Sequence, residues 1–109
     1  MAGGSGYAGK PRPVLIVQDD AFAERDSVTV CLISSDPTDL PVFRIPVAPT
    51  ADNGLRTTSR LMVDKVTTVP RSCLGHCIGR LADDDVMRLN RSLLVFLGLA
   101  RRAWEHRII

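Results

Sequence analysis

The sequence predicts a small, mainly β domain closed by one C-terminal helix: a strongly bent sheet or barrel with the helix packed on it. Three observations carry this. Four short runs rich in β-branched and aliphatic residues, "PVLIVQ", "SVTVCLI", "VFRIPVA" and "LMVDKVTTV", follow one another before residue 70, separated by Gly, Pro, Asp and Ser. After Asp83 the apolar spacing changes to threes and fours. The chain has 109 residues, 45% of them hydrophobic, enough for one core but not two. We therefore read residues 1–109 as a single domain.

Residues 1–9 are rich in glycine and read as a loop or arm. Pro13 to Gln18 reads as a buried strand, because its apolar run is unbroken, and Asp19-Asp20 ends it. Ser27 to Ile33 is a second strand whose imperfect alternation suits burial on both faces. "SSDPTD", 34–39, is a turn by composition. Val42 to Ala48 is a third strand, assigned to an edge or bulge because Pro46 removes a ladder donor. After the loop "PTADNG", Leu61 to Val69 is a fourth strand, and "CLGHCIGRL" suggests a short fifth around Ile78. Val86, Leu89, Leu93 and Leu97 mark an amphipathic helix. Asp83, Asp84 and Asp85 are placed to cap its first turn and meet its positive dipole end, and Gly98 is placed to stop it. Residues 100–109 form a cationic tail.

The formal charge is only +2, so any electrostatic argument must be local. The N-terminus lacks the charged start and apolar run of a secretory signal, and the longest apolar run is too short to cross a bilayer. The expected location is the cytoplasm, with no membrane association. Three cysteines suit a reducing compartment.

The most suggestive local feature is "KPRPV". Pro11 and Pro13 hold Lys10 and Arg12 extended, and residues i and i+2 of an extended chain share a side. Two cations then project together beside a strand end. Spacing alone leaves two readings open, a solvated strand start or a preorganised anion site in which arginine grips a phosphate with its planar fork. Ser34 and Ser35 likewise suit either a local turn or a phosphate contact. "CLGHC" holds Cys73, His76 and Cys77, but zinc usually needs a fourth ligand and no second Cys/His pair has a suitable spacing; no metal or cofactor is expected. Cys31 reads as strand core. Nothing in their contexts brings His76 and His106 together as an acid–base pair.

Four segments in order then resemble the MazF/PemK toxins of bacterial toxin–antitoxin systems. "GKPRPVLIVQDDAF" is similar to the start of their second strand, and "SVTVCLIS" to their next strand, which ends in a hydroxyl residue. "NGLRTTSRLMVDKVTTVPRSCLGHCIGRL" is similar to a basic, Ser-containing turn leading into a "DKV.TV" strand and an "IGRL"-like piece. "VMRLNRSLLVFLGL" is similar to their closing helix. Together they span about Gly9 to Leu99. The resemblance implies an SH3-like barrel that forms a homodimer. It implies a metal-independent, sequence-selective endoribonuclease for single-stranded RNA, often mRNA, leaving 2′,3′-cyclic phosphate and 5′-hydroxyl ends. It further implies a cognate antitoxin that fills the RNA groove.

The family's catalytic arginine maps onto Arg12, and its catalytic Thr or Ser onto Ser34, with Ser35 in reserve if the register slips by one. Lys10, Ser35, Tyr7 and Gly9 are the RNA-binding candidates, Tyr7 as a stacking platform or a cover for the barrel end. The resemblance also implies a first strand bearing "RGD"; this chain starts at the loop that follows it, so that strand is expected to be missing. No group is assigned to remove the 2′-hydroxyl proton. Two alternatives stay open. One is a CcdB-like gyrase poison, suggested by Trp104 near Ile108 and Ile109. The other is an inactive relative that binds antitoxin.

Overall fold

A computed structural model describes residues 12–36, 43–101 and 107–109. Its strands are β1 (Val14–Ile16), β2 (Ser27–Ser34), β3 (Arg44–Val47) and β4 (Ser59–Pro70), followed by one helix, α1 (Asp83–Phe96). The strands form one antiparallel sheet in the order β1-β2-β4-β3. A mainly β domain with a closing helix is therefore the observed fold, the sheet curling into half a barrel.

The curl has a visible origin in the register. Cys31 pairs with Val66, yet Ile33 pairs with Leu61, so two steps along β2 match five along β4. The extra β4 residues bulge, and a bulge bends its strand and sharpens the local twist. At this bend the Cys31 thiol donates to the Met62 carbonyl at 3.3 Å. Burial pushes the Cys31 thiol up to about 11, so it is an inert core group, as its place in the strand suggested.

Both faces of the sheet are apolar at its centre. Cys31, Ile45, Val47, Leu61 and Val63 form one cluster with Leu89 of α1. Val28, Val30, Leu32 and Met62 form the other. This explains why "SVTVCLI" alternates poorly: a strand buried on both faces has no polar side to show.

Four expectations need correction. The first strand is three residues long rather than Pro13–Gln18, and Ile16 is 52% exposed, because β1 is an edge strand of the sheet. Beyond Val17, Gln18 replaces the ladder with its side chain, whose Oε1 accepts from the Thr29 N–H at 2.9 Å. Among the described residues the third strand runs Arg44–Val47, Phe43 having φ 58°, outside β geometry, and Val42 lies outside the described residues. No strand forms around Ile78; residues 74–80 run as an irregular strap instead. Lastly, the helix N-cap is Ala82, without a side-chain cap, so Asp83 to Asp85 lie inside the first turn. They meet the dipole without capping it.

Other expectations hold. Pro46 lies on edge strand β3. Leu97 follows α1 as its C-cap, and Gly98 at φ 75° ends it in the left-handed region. Phe96 of α1 meets Phe43 edge to face, with ring centroids 4.9 Å apart. Among the described residues, no helix is long and apolar enough to cross a membrane.

Candidate RNA-binding cleft

The segment ahead of β1, the end of β2, the loop before β4 and the 74–80 strap converge on a cleft of about 630 Å3. Each side chain arrives for a local reason. Pro13 holds the chain extended into β1, which sets Arg12 on the rim. At the other wall β2 ends at Ser34, opposite Arg60. Ser34 Oγ accepts from the Asp36 N–H at 3.1 Å, a local turn that carries the chain off the sheet. Arg60 Nη1 donates to the Asp36 carbonyl at 3.1 Å and fixes the same turn. Ser35, between these two anchors, lines the cleft together with Arg12.

The floor comes from the loop before β4. Buried Asn53 ties that loop together: its Oδ1 accepts from the Thr50 and Leu55 N–H groups at 3.0 and 2.9 Å, and its Nδ2 donates to the Ala48 carbonyl at 2.9 Å. Gly54, Leu55, Arg56, Thr57 and Ser59 then face the cleft, while His76 and Ile78 enter from the strap. Among the described residues, the lining holds two arginines, a histidine and three hydroxyls but no carboxylate. Such a wall attracts an anion and offers several donors to it.

A second cavity of about 450 Å3 adjoins the first. It shares Pro13, Ile33, Leu55, His76 and Ile78 with the cleft. Its walls are mostly apolar, with Gln18, Asp20, Arg71 and Arg80 as polar additions.

Arg12 and Ser35 are thus brought together, and Ser34 sits one residue back with its oxygen engaged in the turn. Tyr7, Gly9 and Lys10 lie outside the described residues, as do Trp104 and His106. Arg56 and Thr57 are cleft residues that spacing did not single out, although "LRTTSR" already showed cations and hydroxyls side by side. In "CLGHC", the Cys77 thiol donates to the Gly79 carbonyl at 3.2 Å. Among the described residues, no three His, Cys, Asp or Glu side chains cluster as metal ligands.

Comparison with known proteins points one way. Residues 2–97 match the family model described as PemK-like, MazF-like toxin of type II toxin–antitoxin system. A probable endoribonuclease MazF of Mycolicibacterium smegmatis is 58% identical over 94 residues, 86% of each chain. Among solved structures, Mycobacterium tuberculosis toxin MazF-mt6 is 30% identical with a TM-score of 0.70, covering 82% of this chain and 88% of that one. An endoribonuclease in complex with its cognate antitoxin, from a mycobacterial species, shares the fold at 24% identity and a TM-score of 0.66, over 92% of this chain and 88% of that one.

Proposed function

The chain belongs to the PemK-like, MazF-like toxins of type II toxin–antitoxin systems, and from that premise we propose that it is an endoribonuclease cutting single-stranded RNA at selected sequences in the cytoplasm. The observation that carries the reading is the cleft itself: Arg12 and Ser35 face one space beside Arg56, with no carboxylate among the described lining residues to repel a phosphate.

The chemistry follows from those groups. The RNA's 2′-hydroxyl attacks the adjacent phosphorus, giving a 2′,3′-cyclic phosphate and a 5′-hydroxyl end. Negative charge builds on the phosphoryl oxygens at the transition state, and a cation aimed there is the largest stabilising contribution available. Arg12 supplies it. Arginine stays protonated at any working pH, which makes it a poor base and a constant charge. Ser35 holds the scissile phosphate by a hydrogen bond, and Arg56 engages a neighbouring phosphate. Ser34, with its oxygen accepting from Asp36, shapes the turn that presents Ser35.

Ser35→Ala is therefore expected to lower cleavage about 10- to 100-fold, the worth of one hydrogen bond to a charged group. Ser34→Ala is expected to act more weakly, through the turn. Single-turnover cleavage of one defined RNA by both variants checks this. The reverse order of effects would return the phosphate contact to Ser34.

Two partners complete the reading. One is an antitoxin that occupies the cleft. The other is a second copy of the chain. The end of α1 and its C-cap expose Leu94, Val95, Phe96 and Leu97, apolar area that a second copy would cover.

The test is direct. Purified protein is incubated with a defined single-stranded RNA, and primer extension and end-group analysis locate the cuts. Expected are a few fixed sites with 5′-hydroxyl ends, at the same rate with and without EDTA. Intact RNA would refute the reading, and loss of cleavage on chelation restored by zinc would refute its metal-free form.

A further inference from the structure

We propose that His76 is the base that takes the 2′-hydroxyl proton during cleavage, an inference that rests on the endoribonuclease reading. Cleavage needs such a base, and the arginines are excluded by their permanent charge. The described cleft hydroxyls, Ser35, Thr57 and Ser59, are like the one to be deprotonated, so they give the reaction no base. His76 is the one imidazole among the described cleft residues, a side chain with a ring nitrogen that can take up a proton and hand it back.

Its placement supports the role. His76 lies where the cleft meets the adjoining cavity, so it reaches the space beside Arg12 and Ser35. The strap that carries it is docked by backbone rather than hanging free. Arg80 N–H donates to the Asp52 carbonyl at 2.7 Å. A Cβ on Gly79 would stand 2.4 Å from Asp52 O, which shows how closely the two segments touch. A base held on a fixed segment loses little freedom when substrate arrives.

The step balances without any added reagent but water. The neutral imidazole accepts the 2′-hydroxyl proton as the 2′-oxygen forms its bond to phosphorus. The bond from phosphorus to the 5′-oxygen breaks, and its electron pair leaves on that oxygen, which takes a proton from water. The resulting hydroxide neutralises the imidazolium and resets the enzyme. Charged and titratable groups face His76 from both sides: Arg12 and Arg56 across the cleft, and Asp20, Arg71, Cys77 and Arg80 around the adjoining cavity.

The experiment uses the full chain and an oligonucleotide with a single ribonucleotide at the mapped cut site, followed at single turnover from about pH 5 to about pH 9, a range that brackets imidazole titration. For His76→Gln the cleavage rate is expected to fall about 10²- to 10⁴-fold, the usual contribution of a general base. The acidic limb of the pH profile is expected to flatten. Binding of the all-2′-deoxy oligonucleotide, read by fluorescence anisotropy, is expected to stay unchanged. Added imidazole is expected to recover part of the activity of His76→Gly. If the wild-type chain cuts and Arg12→Ala does not, but His76→Gln cuts at the wild-type rate with its acidic limb intact, His76 is not the base and the nuclease reading survives. If His76→Gln weakens binding while keeping the limb, His76 only contacts RNA and the proposal fails. If the wild-type chain itself leaves RNA uncut, both readings fall together.

Discussion

Arg12→Ala is expected to abolish RNA cleavage, with kcat/KM falling about 10³-fold or more, while the melting temperature stays where it was. The two halves of this expectation have separate causes. Removing one preorganised donor from a developing oxyanion already costs about 10²- to 10³-fold, and Arg12 contributes a full charge as well as a fork of donors. Stability is untouched because Arg12 is exposed on the rim of the cleft, ahead of β1. Substitutions at such positions usually change stability by less than about 0.5 kcal/mol. Arg12→Lys separates charge from geometry. It keeps the cation but replaces a planar fork with a point charge, so it is expected to fall between wild type and Arg12→Ala. Cleavage of the mapped oligonucleotide, together with a thermal melt, reads both halves. A folded Arg12→Ala protein that cuts RNA at the wild-type rate would remove Arg12 from the mechanism. Equal rates for Arg12→Lys and wild type would mean that only its charge matters.

The extended chain that carries Arg12 to the start of β1 was legible because its signal is local. Two prolines two residues apart fix the backbone around the cation whatever the rest of the chain does. The α1 helix was legible for a similar reason, since Val86, Leu89 and Leu93 repeat with its period. The choice between Ser34 and Ser35 was not. A shift of one residue at a strand end moves a side chain to the opposite face, and β2 carries its irregular register just before that point, between Cys31 and Ile33. In the folded chain Ser35 lines the cleft, while Ser34 pairs opposite Arg60 and its Oγ accepts from the Asp36 N–H. Nor did the Ile78 segment betray itself. "CLGHCIGRL" has the composition of a short strand, but its partner is a loop some 25 residues earlier, met by backbone contact. His76 was hidden for the same reason. A histidine's surroundings are set by what docks against its segment, and sequence spacing to His106 carried no such information.

That docking leads to the largest expected effect on stability. Gly54→Ala is expected to destabilise the domain by about 3 kcal/mol, combining backbone strain with overpacking. Gly54 has φ +69°, and a Cβ built there would lie 2.1 Å from the carbonyl oxygen of Ile78. The obstruction is backbone, so no rotamer change relieves it; the strap has to move away. It would take with it the Arg80 to Asp52 hydrogen bond and the wall that bears His76. For a domain of this size the loss corresponds to a melting temperature lower by roughly 10 °C or more. Gly54→Asn tells strain from contact, because asparagine tolerates left-handed backbone far better than alanine yet carries the same Cβ. If close approach dominates, Asn is as damaging as Ala; if the positive φ dominates, Asn recovers most of the loss. Gly98→Ala is the control. It too sits at positive φ, 75°, and it lies beyond the helix, outside the described cleft lining. It is expected to lower stability by about 1 kcal/mol and leave cleavage alone, whereas Gly54→Ala, assayed well below its melting point, is expected to lose cleavage as the strap departs. A Gly54→Ala protein that melts and cuts like wild type would mean that the strap does not rest on this loop, and the fixed placement of His76 would fail with it.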